Sequence, residues 1–569
     1  MLSSKPAISA ELGQTDDITL GQYLLDCLKR EGIQEVFGVP GDFNFTLLDT
    51  LEKQADIRFI NGRNELNAAY SADAYARLKG IGALITTFGV GEMSACNAIA
   101  GAYSENVPLI HIVGTPKSKE QREKKLLHHT LMNGDYDVFR KVYENITGYT
   151  VILTPENAEL EIPVAIRIAK EKKKPVYLSV AIDLVMKPIL RHNLQPTDEK
   201  KTKENSLRAA VSHVEEMLDS ARSVVLLIDT LTIRYGLQNA AMRLAEEMHV
   251  PVASMMQGKG GFDESHPLYI GTYGGPFGDK EVCGIVEGAD CVIMVGHVKS
   301  DVNMAKFTAK LNPLNTVTIQ PQFVIVSEAE YENIYAEDML DALRKSGFRQ
   351  RETPSSKGFP YDVVRGGQDE LIAASSYYPR IQQMLKDSDI VVVETGTFSY
   401  GMSQVRLPKG ANYIAQGGWQ SIGYGVPAAF GACLAEKDRR VLLFTGEGSL
   451  QLTVQEISSM LENDCKPIIF VLNNEGYTIE KYLNVKSENQ KYNQIPAWEY
   501  TKLADIFGGI AFTAKVRTNQ ELDEAIKQAE TECKDKLCII EMVVHDPMDA
   551  PEYLQRMRNY LEEQEKLQN

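Results

Sequence analysis

The chain has 569 residues, too many for one hydrophobic core, because cores stop growing at roughly 250 to 300 residues and longer chains divide. Hydrophobic residues at 44% and charged residues at 24% are ordinary globular proportions, which excludes a disordered, collagenous or coiled-coil chain. The formal charge of −17 repels nucleic-acid phosphate and anionic membrane surfaces, and the lysine clusters Lys124-Lys125 and Lys172-Lys173-Lys174 are too short to reverse that.

Residues 1–17 are polar and end acidic, without the basic start and apolar stretch of a secretory signal, so the expected compartment is the cytoplasm. From residue 18 to about 190, β-rich runs at 35–39, 58–60, 82–86, 109–113 and 176–180 alternate with helical patterns, the rhythm of a parallel α/β sheet. The charged stretch 197–205 reads as a linker, and strands are expected again at 223–228, 250–254 and 291–295. A second linker is expected over 349–370, followed by strands at 390–394, 441–445, 467–472 and 538–544 and a helix at 428–435. The expectation is therefore an α/β fold of three domains, 1–196, 206–348 and 371–569, each with a mainly parallel sheet flanked by helices.

No apolar run approaches the roughly 20 residues of a membrane span. The eight cysteines form no CxxC pair and no zinc-ligand spacing, so reduced, mostly buried thiols are expected. Asn44-Phe45-Thr46 and Asn145-Ile146-Thr147 match the glycosylation pattern, which acts only in a secreted chain.

The strongest chemical signal is Gly446-Glu447-Gly448-Ser449 followed by Asn473-Asn474-Glu475-Gly476-Tyr477, each just past an expected strand. In open α/β sheets ligands bind beyond the carboxyl ends of strands, where glycine loops present backbone N–H groups to phosphate. Two such loops on adjacent strands clamp one diphosphate, and a hard cation such as Mg²⁺ takes oxygen ligands from Glu447, Asn474 and the Gly476 carbonyl. A single glycine-rich turn occurs in every doubly wound domain; the pair is what points to a metal-diphosphate site.

These loops, together with Gly38-Val39-Pro40-Gly41-Asp42-Phe43-Asn44, Asn64-Glu65-Leu66-Asn67-Ala68-Ala69-Tyr70, Thr86-Thr87-Phe88-Gly89-Val90-Gly91-Glu92 and Leu127-His128-His129-Thr130, give the chain a whole-length resemblance. It resembles the thiamine-diphosphate-dependent 2-oxo-acid decarboxylases, and within them the pyruvate decarboxylases of yeasts. The resemblance implies that Glu65 hydrogen-bonds the cofactor's aminopyrimidine and promotes loss of the thiazolium proton. The resulting ylid attacks a 2-oxo acid, carbon dioxide leaves, and protonation releases an aldehyde. Asp42, His128, His129 and Glu480 are implied as the proton carriers, Thr397, Gln420, Ile422, Gly446, Gly448, Ser449, Tyr477 and Ile479 as cofactor contacts, and Ile422 as the bulky residue that bends the cofactor. The family also implies a homo-oligomer, at least a dimer and by expectation a homotetramer, in which Glu65 comes from one subunit and the diphosphate loops from another.

Each position has a structural alternative. Glu65 and Asp42 suit the start of a helix, Ile422 suits a core, and consecutive histidines are expected to point apart and make poor partners for one metal. Three departures from the family pattern stand out. Glu447 replaces the usual aspartate of the metal loop, Gln420 the usual glycine before Ser421-Ile422, and Val302 a bulky aromatic at the substrate pocket. The last opens branched-chain or aryl 2-oxo acids as alternative substrates, with Phe398 and Ile479 expected to refill the space. A flavin-containing relative is disfavoured by His128-His129 and Glu480, and a non-catalytic regulatory paralogue by the complete acid-base set.

Overall fold

The computed structural model describes residues 15–190, 201–353, 358–487 and 489–568. The chain forms two compact units, Met1–Glu199 and Lys200–Asn569. In the first, six strands make one all-parallel sheet in the spatial order Arg58–Asn61, Glu35–Gly38, Gly82–Thr87, Leu109–Thr115, Val176–Ala181, Tyr149–Leu153. Numbered along the chain, that order is 2-1-3-4-6-5. Every residue of the three strands Gly82–Thr87, Leu109–Thr115 and Val176–Ala181 is buried, as a parallel sheet covered on both faces requires.

The helix Glu65–Lys79 shows how the sequence sets its own limits. Asn64 accepts the Asn67 N–H at 2.8 Å as N-cap, and Gly80 closes the far end in the left-handed region at φ 88°. Its alanine-rich middle is buried, so it lies close beneath the sheet with the helix Val90–Ser104 as neighbour.

The second unit holds two sheets. One runs Tyr269–Tyr273, Val252–Met255, Val224–Ile228, Cys291–Val295, Thr316–Ile319, Phe323–Val326, Ala329–Glu332, with every pairing parallel except the two that Phe323–Val326 makes with its neighbours, which are antiparallel. The other runs Asn412–Ile414, Ile390–Val393, Val441–Gly446, Ile468–Asn473, Leu537–Val543, Ala511–Val516, all parallel and again in the order 2-1-3-4-6-5. Three mainly parallel sheets flanked by helices are the expected α/β architecture, and each expected strand is present within two residues at either end. The expected linkers fall in part outside the described residues, at 197–200 and 354–357; Glu204 and Asn205, at the end of the first, already belong to the helix Glu204–Ser220, and the described remainder of 349–370 carries neither helix nor strand. All eight cysteines are free thiols, four of them buried. Among the described residues no helix is long and apolar enough to cross a membrane.

Candidate active site

In the first unit the polar groups gather beyond the carboxyl ends of the strands. Asp42 Oδ2 lies 2.7 Å from His128 Nε2 and Asp42 Oδ1 lies 3.7 Å from His129 Nδ1. The two imidazoles do not diverge, as consecutive side chains were expected to do. His129 sits in the left-handed region at φ 62°, which swings its ring back against that of His128, with centroids 4.7 Å apart. Phe43 stacks on His128 and meets His129 edge-on. Three ligand-type atoms from Asp42, His128 and His129 thus lie within 4.8 Å of one another. A carboxylate touching one imidazole and facing a second is a short path for a proton.

Sequence reasoning passed over the groups that hold this cluster in place. A Cβ on Gly89, which has φ 68°, would stand 1.8 Å from the His129 carbonyl oxygen. Gly89 donates its N–H to Glu92 Oε1 at 2.8 Å, and the Tyr177 hydroxyl donates to Glu92 Oε2 at 2.9 Å. Burial pushes the Glu92 carboxyl up to about 7, against the pull of those two donors. A glycine at a helix start followed three residues later by Glu is a capping pattern, so Gly89 and Glu92 were open to discovery from the sequence. Glu65 is half-buried, at the first position of its helix, and Gly91 leaves room for it: a Cβ there would stand 3.1 Å from Glu65 Oε1.

In the second unit, the expected metal loops end the adjacent strands Val441–Gly446 and Ile468–Asn473. Glu447 is buried, and its Oε1 accepts the N–H groups of Gly476 at 3.0 Å and Asn474 at 3.3 Å. The methylene that glutamate adds over aspartate is taken up by this fold-back onto the neighbouring loop. Burial raises the Glu447 carboxyl to about 7.

The neighbouring amide shows what the site is built for. The Thr478 hydroxyl donates its one proton to the Pro547 carbonyl at 2.8 Å, so it accepts from Asn474 Nδ2, also at 2.8 Å. That turns the Asn474 oxygen towards Gly476 O at 2.9 Å and Glu447 Oε1 at 3.3 Å. The Asn474 oxygen then faces two other oxygens, whereas the opposite amide orientation would donate to both. Ligands at 2.0 to 2.1 Å around an octahedral Mg²⁺ stand about 2.9 Å apart along each edge; the Asn474–Gly476 separation of 2.9 Å fits such an edge, and the Asn474–Glu447 separation of 3.3 Å would close slightly around the ion. Beside it, Gly446 opens onto free space, whereas a Cβ on Gly448 would stand 2.5 Å from both Tyr477 and Ile495. Ser449 is buried next to them.

The remaining expected contacts lie on neighbouring loops of the same unit. Thr397 begins the helix Thr397–Met402 and is buried, and its carbonyl accepts from the Tyr378 hydroxyl. Gln420 has φ 55°, a conformation that glycine adopts without strain, and Ile422 is partly exposed. The buried Glu394, absent from the sequence-based set, accepts the N–H groups of Thr395 and Gly425 and so fixes the turn after Ile422. Ile479 is half-buried and Glu480 exposed, on the helix Thr478–Leu483. Val302 is half-buried. Phe398 does not refill the space beside it: the ring is buried between Tyr377, Tyr378 and Phe444 in the sheet's core, because the inner face of its helix packs on the strands.

Comparison with known proteins agrees with this geometry. Family models of thiamine pyrophosphate enzymes match three segments: the N-terminal TPP binding domain over residues 18–138, the central domain over 211–332 and the C-terminal TPP binding domain over 394–542. A pyruvate decarboxylase of Aspergillus fumigatus is 40% identical over 550 residues, covering 94% of this chain and 96% of its own. Pyruvate decarboxylase isozyme 3 of Saccharomyces cerevisiae is 36% identical over 563 residues, at 95% and 97% coverage. A pyruvate decarboxylase of Hanseniaspora uvarum is 37% identical over 556 residues, at 95% and 98%. The chain belongs to the thiamine-diphosphate-dependent 2-oxo-acid decarboxylases, the family of these fungal enzymes.

Proposed function

We propose that this decarboxylase converts pyruvate to acetaldehyde and carbon dioxide, and that Asp42, Glu65, His128, His129 and Glu480 carry its protons. Bound thiamine diphosphate supplies the electron sink for the pair left by carbon dioxide. Glu447, Asn474 and Gly476 O hold Mg²⁺, and Gly446, Gly448 and Ser449 line the diphosphate. Thr397, Gln420, Ile422, Tyr477 and Ile479 flank the rings. Glu65 holds a proton for the aminopyrimidine, and the Asp42, His128, His129 cluster delivers one to the carbon that carbon dioxide has left. The observation that carries this reading is that cluster, because a decarboxylase that releases an aldehyde needs a positioned proton donor and the two imidazoles converge on one carboxylate.

Val302 in place of an aromatic, with Phe398 buried elsewhere, favours a second reading in which branched-chain or aryl 2-oxo acids are taken as well. Purified protein with thiamine diphosphate and Mg²⁺ is offered pyruvate, 3-methyl-2-oxobutanoate and indolepyruvate separately, and aldehyde and carbon dioxide are measured. Cofactor-dependent turnover fastest on pyruvate is expected. Faster turnover of either larger acid establishes the second reading, and no turnover on any of the three sinks both.

The working unit we propose is a cytoplasmic homo-oligomer, at least a dimer, in which Glu65 of one copy serves the diphosphate loops of another. Exposed apolar side chains support it: Phe45, Val90, Leu126, Leu131 and Met132 ring the cluster of the first unit, and Leu452, Leu483, Tyr492 and Trp498 surround the loops of the second. Domain limits of 1–196, 206–348 and 371–569 are proposed as well, since each matched family segment falls within one of them.

A further inference from the structure

The loop between the strand Asn412–Ile414 and the helix Gly425–Ala435 carries Gln420 and Ile422 but has no regular structure of its own. Its shape is held from the neighbouring sheet of the same unit. Gln257, just past the strand Val252–Met255, donates through Nε2 to the Gly417 carbonyl at 3.0 Å and to Ser300 Oγ at 3.0 Å. Its Oε1 lies 3.4 Å from Asn303 Nδ2, and its backbone N–H donates to Asn303 Oδ1 at 3.0 Å. Asn303 is fully buried and is itself fixed by donation to Asp229 Oδ2 at 2.8 Å. Both amide hydrogens of Gln257 are therefore engaged; Asn303 Nδ2 gives its two protons to Asp229 and, at 2.9 Å, to the Val298 carbonyl, so the Gly417 carbonyl, which can only accept, is what sets the orientation of the Gln257 amide.

The other end of the contact is shaped to receive it. A Cβ on Gly417 would stand 2.6 Å from Gln257 Cγ, so the missing side chain is what lets the amide reach the carbonyl. The same carbonyl accepts a second amide, Gln420 Nε2 at 3.1 Å, from the residue held at φ 55°. A non-glycine residue in that region is strained, and the clasp on Gly417 offsets the strain.

We propose that Gln257 is a positioning residue for the cofactor: its clasp on the Gly417 carbonyl presets the loop so that Gln420 and Ile422 meet the ring system of thiamine diphosphate. This rests on the reading of Gln420 and Ile422 as cofactor contacts. Trp419 lies inside the loop and the chain has only one other tryptophan, Trp498, so a Trp498→Phe background makes its fluorescence a direct reporter.

In that background, Gln257→Leu and Gly417→Ala are each expected to raise the Kd of thiamine diphosphate with Mg²⁺ roughly tenfold, the scale of one lost hydrogen bond. The kcat at saturating cofactor changes far less, because the proton carriers are untouched, and Trp419 emission of the cofactor-free protein shifts to the red. Gly417→Ala added to Gln257→Ala has little further effect on Kd, since the clasp is already gone. Ile422→Ala is measured alongside. If it raises Kd while Gln257→Leu leaves Kd and Trp419 emission within error of the parent, the clasp is overturned and the loop keeps its role. If neither variant moves Kd, the loop's cofactor role fails, and the proposal with it.

Discussion

At the scale of single residues, the conformations that matter are ones that composition does not announce. His129 and Gln420 are non-glycine residues in the left-handed region, held there by what surrounds them. Glu92 is the clearest titratable case. Its carboxyl is raised to about 7 from 4.5 by burial, so the folded protein binds a proton that the unfolded chain has released between those values. Stability therefore falls as pH rises from about 4.5 to about 7, then levels. His111, lowered to about 3 by complete burial, gives the opposite slope below its ordinary value of 6.5, but that contribution is common to variants at position 92 and cancels in a difference. Glu92→Gln is expected to melt close to the parent at pH 5 and to gain on it towards pH 7.5, by about 3 kcal/mol at most. A pH-independent difference in thermal unfolding would show that Glu92 stays ionised throughout. The motif containing Glu92 was visible in the sequence; its burial was not, since burial depends on Tyr177, far along the chain, closing over it.

At the scale of elements, the turn from the strand Gly82–Thr87 to the helix Val90–Ser104 is the tightest joint near the proposed proton carriers. Gly89→Ala places a methyl against the His129 carbonyl at a positive φ, so the histidine loop must move. We expect kcat to fall at least tenfold, with far-ultraviolet circular dichroism retained, because misplacement by an ångström is enough to cost orders of magnitude in rate. Unchanged kcat would mean the loop has room that the packing denies. Legibility also divides by element. Buried central strands such as Leu109–Thr115 and Ile468–Asn473 read directly as apolar runs. The edge strands Tyr149–Leu153 and Ala511–Val516 are half-exposed along most of their length; the first offers only the short run Val151-Ile152-Leu153 and the second is broken by Thr513 and Lys515. In the antiparallel pair, Ala329–Glu332 is polar and mostly exposed, whereas Phe323–Val326 is an unbroken apolar run that the sequence reading passed over. Of the proposed metal site, the two loops could be named from the sequence, but the orientation of Asn474 depends on where the Thr478 hydroxyl sends its proton.

At the scale of the whole molecule, the proposal that copies share sites has a stringent test by mixing. Glu65→Gln and Glu447→Ala are each expected to be inactive alone. Co-refolded in equal amounts, they regain about a quarter of the parent activity, because half the dimers are mixed and each of those holds one intact site. A mixture as inactive as its components would place both groups of each site on one chain. The strand order 2-1-3-4-6-5 recurs in both six-stranded sheets. Every proposed site residue of the first sheet follows strand one, two or four, and every one of the last sheet ends or follows strands one to four; strands five and six carry none. Identical threading offers a ligand the same set of loops on each sheet. In the proposed dimer one set handles protons and the other holds the cation, so each copy needs a partner to be complete.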